Sequence, residues 1–278
     1  MTTQASSSPA TSAAGAVAAA VASARTPSPE QGPGLAVATQ VVLRQQLARA
    51  RVARVPLLFV ASFQSIGILL LLRGVVDEGS TTTRQQVVAG ATVLVVAFVA
   101  LNLLAQRFGA MRAAGALDYY GTLPVPPAAV VLGTAAAYAA FAVPGTVVTA
   151  VVGALLYDLP LGRLWILAPV ALLAGASLAG VGALMGLLAP KPELATVGGQ
   201  LGMSLVLFLG IIPGSRLPVV VRALRAAVPS TYATDALART FRPDVRWTDV
   251  GIDLLVCLAV GVLSLALGGW ALRRATRR

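Results

Sequence analysis

The side chains that could do chemistry are few and scattered. The chain has no histidine, which removes imidazole general-base catalysis and histidine-ligated metal sites. Its single cysteine, Cys257, lies inside an apolar run. One thiol forms no internal disulfide, and on a buried helix it packs as a small hydrophobe. Most of the ten carboxylates fall between apolar blocks, and only Asp253 enters one, close to its end. A proton- or sodium-coupled carrier places acids near the middle of the bilayer, and this pattern supplies none there. No GxxxxGK[ST], HExxH, GxSxG or CxxC occurs, and Lys191, the only lysine, has no glycine-rich loop before it. Without a phosphate-cradling loop the chain has no ATPase apparatus of its own. The reading is therefore no catalytic residue, no metal and no cofactor.

The elements that must hold these residues are apolar blocks. Of 278 residues, 57% are hydrophobic and 11% charged, with a mean hydropathy of +0.83. A soluble domain carries about a quarter charged residues. Apolar blocks near or above the length needed to cross hydrocarbon, about 20 residues, read as membrane spans. The spans fall near 56–72, 87–106, 128–156, 164–189, 194–212 and 250–272, with Pro144 expected to kink the third. The fold class expected is thus an all-α membrane protein of six transmembrane helices. Residues 1–35, rich in Ala, Ser, Thr, Pro and Gly, read as a disordered tail, and 36–278 as one transmembrane domain. A basic helix over 35–55, with Val41, Ala48 and Val52 on one face, reads as an N-terminal interfacial element. Gly182–Gly186 and Gly198–Gly202 are GxxxG pairs, which permit close helix approach.

The net charge of +11 comes from arginines at block ends, not from a stripe with interleaved aromatics. That pattern fits flanking charge on spans and argues against nucleic acid as a partner. One side collects Arg44, Arg49, Arg51, Arg54, Arg107, Arg112, Lys191, Arg273, Arg274, Arg277 and Arg278. The other has Arg73, Arg84 and Arg163 in short loops, beside Asp77, Glu78 and Asp158. The positive-inside rule makes the first side cytoplasmic and puts both termini inside, in a cell (inner) membrane. The segment 213–249 then lies outside despite six arginines, and Leu217, Val221, Leu224 and Val228 form one face with Arg222 and Arg225 off it. It reads as an outer amphipathic helix on the surface with snorkelling arginines.

Two segments remain that composition does not explain. RFGAMRAAGALDYYGTLPVPP (107–127) is too polar to span and offers a short helix near 109–118, then a break at Gly121–Pro124. Within it, Arg112-x-x-Gly115-x-Leu117 followed by Thr122-Leu123-Pro124-Val125 resembles the motif of type-2 ATP-binding-cassette exporter permeases of the drug and antibiotic kind. VPSTYATDALAR (228–239), with Pro229, Tyr232, Asp235 and Arg239, is similar to a second feature of that family before the last span, although Val228 stands where Asn is common. The resemblance covers about residues 36–278. It implies that the helix around Arg112 to Asp118 couples to a separate ATPase. Gly115 would then allow close approach, Arg112 and Asp118 would make polar contacts, and Leu117 and Pro124 complete the motif. It also implies an ABC ATPase subunit that binds the ATP and a second permease copy (homodimer or heterodimer), set in membrane lipid. An amphiphilic or lipid-like substrate fits the absence of charged groups in the spans.

The function expected is therefore the permease subunit of an ATP-driven exporter, forming half of a translocation pathway. The alternatives are a structural or regulatory membrane subunit and a membrane-embedded lipid-modifying enzyme. The enzyme would need clustered acids or nucleophiles at the interface, and Asp118, Tyr119 and Tyr120 are the only dense candidate.

Overall fold

The structure, a computed structural model, describes residues 34–49, 54–76, 80–122, 125–211 and 218–275. The tail expected over 1–35 lies outside the described residues up to residue 33, as do Pro124, Leu217, Arg277 and Arg278.

Every described element is helical. In chain order they are α1 (Leu35–Arg49), α2 (Arg54–Val76), α3 (Thr81–Ala113), α4 (Ala116–Thr122), α5 (Pro127–Leu156), α6 (Leu161–Leu188), α7 (Pro192–Ile211), α8 (Val219–Ala227), α9 (Pro229–Thr240) and α10 (Trp247–Ala275). Five of them, α3, α5, α6, α7 and α10, are long and apolar enough to cross a membrane among the described residues. In α2 the apolar stretch is Ser62–Gly74.

Helix α3 is the axis of the bundle. Every residue from Gln85 to Ala97 is buried, as expected of a helix that is apolar on all sides. It is one 33-residue helix, longer than the span expected. Ala97–Leu103 is wound as a π-helix. Helices α6 and α7 pack on that stretch through glycines. A Cβ on Gly182 would sit 2.5 Å from the Leu101 carbonyl oxygen, one on Gly186 would strike that of Ala105, and one on Gly199 would lie 2.7 Å from Asn102 Oδ1. The GxxxG pairs thus serve packing within the chain. Pro144 lies inside α5 without ending it, and its residue 133 closes on α1, where a Cβ would meet Val42 at 2.7 Å.

Two expectations need correction. In α1 the side packed on α5 is Ala38, Val42 and Gln46, with Gln46 Nε2 donating to Thr134 Oγ1 at 3.4 Å. The face read from the sequence is the opposite one: Val41 and Ala48 are exposed, and Val52 lies outside the described residues. The exposed side still suits an interfacial helix, since Leu35, Val37 and Val41 are all uncovered. The second correction concerns 213–249, which is not one surface segment: the amphipathic face read over 217–228 falls on α8, and α9 beyond it is buried. Ser230, Thr231, Ala233, Thr234, Ala236, Leu237, Ala238 and Thr240 are buried, and the helix packs among α3, α6, α7 and α10. Its N-terminal Pro229 carbonyl accepts from the Cys257 thiol at 3.5 Å. Cys257 is ten residues into α10 from Trp247, about 15 Å along a helix, so α9 is inserted roughly halfway into the apolar layer.

Tryptophans mark that layer. Trp165 and Trp247 stack at the α9 end, ring centroids 5.7 Å apart. Trp270 lies at the other end, with the Arg274 guanidinium 5.5 Å over its ring. Twenty-three residues of α10 separate Trp247 from Trp270, about 35 Å of helix, close to the thickness of a bilayer core with its interfaces. Aromatic rings prefer those two levels.

Candidate functional site

Three polar features stand out from the apolar bundle. The first is the junction after α3. The helix ends where Ala114 N–H bonds Ala110 O at 3.0 Å and Gly115 N–H bonds Arg112 O at 3.1 Å. Gly115 has φ 67°, the left-handed conformation that side chains disfavour and that commonly stops helices. The short helix is therefore α4, Ala116–Thr122, and not 109–118, because the long helix does not end until Ala113. Gly115 makes the turn itself. Leu117 is 3% exposed and anchors α4 in the core. Arg112 reaches inward: Nη1 donates to Leu187 O at 2.6 Å and to Ala189 O at 3.1 Å. One belongs to the last turn of α6 and the other to the residue just past it, where a cation also meets the negative end of the helix dipole. Thr122 Oγ1 donates to Tyr119 O at 2.8 Å. Asp118 belongs to α4 by backbone, and its side chain lies outside the described residues.

The second feature is the ionic lining around α9. Asp235 accepts from Gln86 Nε2 at 3.0 Å and pairs with the Arg225 guanidinium. The same Gln86 amide donates to Gly210 O at 3.1 Å. One carboxylate thus joins α3, α8 and α9. Arg225 is 6% exposed, so it does not snorkel from a surface helix; its acidic partner, ten residues on, draws it inward. Arg222 and Leu224 have side chains outside the described residues. Arg239 Nη1 stands 2.9 Å from Asp253 Oδ2 across the α9–α10 contact. Tyr232 Oη donates to Ala226 O at 2.9 Å and Thr231 Oγ1 to Arg225 O at 2.7 Å, which close the corner before Pro229. Gln85 Nε2 donates to Phe241 O at 3.1 Å, and Arg163 donates to the carbonyls of Arg242 and Pro243 at 2.6 and 3.3 Å. Low dielectric makes each of these charges costly alone, so their pairing holds α9 in one place.

The third is a polar stripe on α7. Thr196, Gln200 and Ser204 recur every four residues, and the first two are exposed. Beside the stripe, Gln106 Nε2 donates to the buried Asn102 Oδ1 at 3.0 Å. The hydroxyls of Thr196 and Ser204 are satisfied by carbonyls one turn back, at 3.1 and 3.0 Å. The Gln200 amide has no such local bond.

Pro229, Tyr232, Asp235 and Arg239, read from the sequence as one segment, all lie on α9; the sequence did not indicate Gln85, Gln86, Arg163 and Asp253 as the partners of this region. A signal existed in the small side chains of 229–240, which let a helix enter a crowded bundle. No cluster of three or more Cys, Asp or Glu that could hold a metal occurs among the described residues.

A profile of the ABC-2 type transporter family matches residues 37–241. The match covers most of the chain, and the chain belongs to that family. It is a transport permease component and an integral membrane protein, not an enzyme; ATP hydrolysis in such a transporter lies in a separate subunit. Membership implies association with an ABC ATPase and, typically, a second permease. No curated protein matches the chain significantly.

Proposed function

We propose that this chain is the membrane subunit of an ATP-driven exporter, crossing the cell membrane six times with both termini in the cytoplasm. The sixth span is α2, whose 23 residues reach about 35 Å. The α4 end is then cytoplasmic, as the arginine distribution argues, and α4 is the element that meets the ATPase. The α9 end is outside. Residues 36–278 form one transmembrane domain.

The observation that carries the reading is the stripe Thr196, Gln200 and Ser204. The hydroxyls of this row are spent on backbone carbonyls, but the exposed Gln200 amide is poorly matched to lipid and well matched to a wet or partner-lined surface. With Gln106 and Asn102 beside it, it forms one wall of a pathway that a second permease would complete. An amphiphilic or lipid-like substrate suits a wall of amides and hydroxyls without charge. Cysteines introduced in a Cys257→Ala background test this. Gln200→Cys should react with a small water-soluble thiol reagent, and at a rate that changes when ATP is supplied to the assembled transporter. Leu258→Cys, on the exposed side of α10, should stay unreactive. Equal, slow reaction at both positions would overturn the pathway assignment.

A further inference from the structure

Between α1, the end of α3 and α4 lies a half-open cleft of about 410 Å³. Its polar lining residues are Arg107, Gln45, Tyr119 and Tyr120, and Met111 is among the apolar ones. Arg107 is only partly exposed, yet among the described residues it makes no ion pair or hydrogen bond. This contrasts with Arg112, five residues further on, whose guanidinium is used inside the chain. Gln45 and both phenols likewise donate to no side chain or carbonyl among the described residues. The two tyrosine rings meet edge to face at 6.2 Å, and both residues line the cleft.

A partly buried cation beside neutral donors that no protein group occupies suits an anion with several acceptor oxygens. Where the cleft opens decides which anion. Its α1 wall belongs to the helix whose Leu35, Val37 and Val41 are exposed, Val41 one turn before Gln45, so α1 lies in the boundary between headgroups and acyl chains. An anion that brings its own apolar part fits both the donors and Met111. We propose that this cleft binds the phosphate of an anionic phospholipid, with Arg107 as the charge partner and Gln45, Tyr119 and Tyr120 as neutral donors. Because Tyr119 and Tyr120 are on α4, a bound headgroup also steadies that helix. The effect on coupling rests on the function proposed above; the binding itself does not.

The test uses the full-length chain in neutral detergent. Dioctanoyl phosphatidylglycerol is titrated and the bound lipid counted by native mass spectrometry, with dioctanoyl phosphatidylcholine and inorganic phosphate as separate arms. One phosphatidylglycerol per chain should bind saturably, and phosphatidylcholine should bind far more weakly. Losing the charged bond in Arg107→Gln should weaken it about tenfold. Tyr120→Phe should weaken it less, and Arg107→Lys should retain part of the affinity. Arg44→Gln, an exposed arginine on the same helix as Gln45, should change nothing. If Arg107→Gln is not monodisperse, the lysine and phenylalanine variants decide. Equal loss in Arg44→Gln and Arg107→Gln would reduce the effect to a diffuse basic surface and overturn the proposal. Displacement of the lipid by equimolar inorganic phosphate would make the site one for a free anion. Unchanged lipid affinity in Arg107→Gln, with loss of a co-purifying ATPase, would make the cleft a protein-docking surface and leave the exporter reading standing.

Discussion

Arg239 of α9 holds its Nη1 2.9 Å from Oδ2 of Asp253 in α10, and the carboxylate is the more deeply buried of the two, with 8% of its side chain exposed against 31%. An acid at that depth is tolerable only beside its cation. Removing the cation should therefore hurt more than removing both. Arg239→Ala should destabilise the protein by about 3 kcal/mol, the low end for breaking a buried pair because Arg239 is partly open to solvent. The double variant Arg239→Met with Asp253→Leu should recover most of that loss. Thermal unfolding in detergent checks both; a double variant as unstable as the single one would mean that the pair is not the source of the effect.

The glycines that face α3 should be intolerant in proportion to what a Cβ would strike. Gly182→Val drives carbon into the backbone carbonyls of Leu101 and Ala100, which cannot rotate away, and should cost about 3 kcal/mol or prevent folding. Gly67→Ala has nothing within 4 Å and should be neutral or slightly stabilising through helix propensity. Yield and melting temperature of the purified variants are the measurement, and similar behaviour of the two would contradict the packing described.

Topology can be read by labelling in intact cells, again in a Cys257→Ala background. Asp244→Cys, exposed beside the end of α9, should react with an impermeant thiol reagent. Glu193→Cys, exposed in the first turn of α7, should react only after the membrane is opened. The reverse pattern would invert the chain.

Contact with the ATPase should run through α4. A cysteine at Thr122, an exposed position at the end of that helix, should cross-link to the ATPase subunit, and one at Phe59, exposed on α2, should not. Gly115→Val should weaken coupling more than Gly115→Asn, since asparagine tolerates a left-handed backbone and valine does not. Transport by membrane vesicles, with ATPase co-purification measured alongside, separates these outcomes; equal activity of the two Gly115 variants would remove the turn from the mechanism.

The spans were legible because hydropathy over about 20 residues averages out local detail, and the ends of α5, α6 and α7 lie within a few residues of expectation. Where single side chains decide, the sequence was opaque. Arg112 bonds carbonyls 75 and 77 residues away, and no spacing announces a partner at that range. Arg225 read as a surface cation because its helix is amphipathic, and the pull of Asp235 is a tertiary effect. Helix α9 read as peripheral because serine, threonine and alanine are weakly apolar. In the structure the hydroxyls of Thr231, Thr234 and Thr240 are spent on carbonyls of preceding residues, which leaves only methyl groups to face the bundle. Gly115 was noticed for its lack of a side chain, while its use is its positive φ.

The π-wound stretch Ala97–Leu103 makes the length of α3 matter as much as its composition. A wide turn holds one residue more than an α-helix would over the same rise. The surplus residue is absorbed in the wide turn, so the half of α3 that carries Gln85 and Gln86 and the half that carries Gln106 and Arg107 keep the phase of one regular helix. Winding Ala97–Leu103 regular without losing a residue would swing one half about 100° against the other. Gln86 could then stay with Asp235 only if Arg107 left its cleft, or the reverse. Deleting one residue from the stretch removes the surplus and leaves both halves in place, whereas inserting one more breaks the register without altering a single side chain already there.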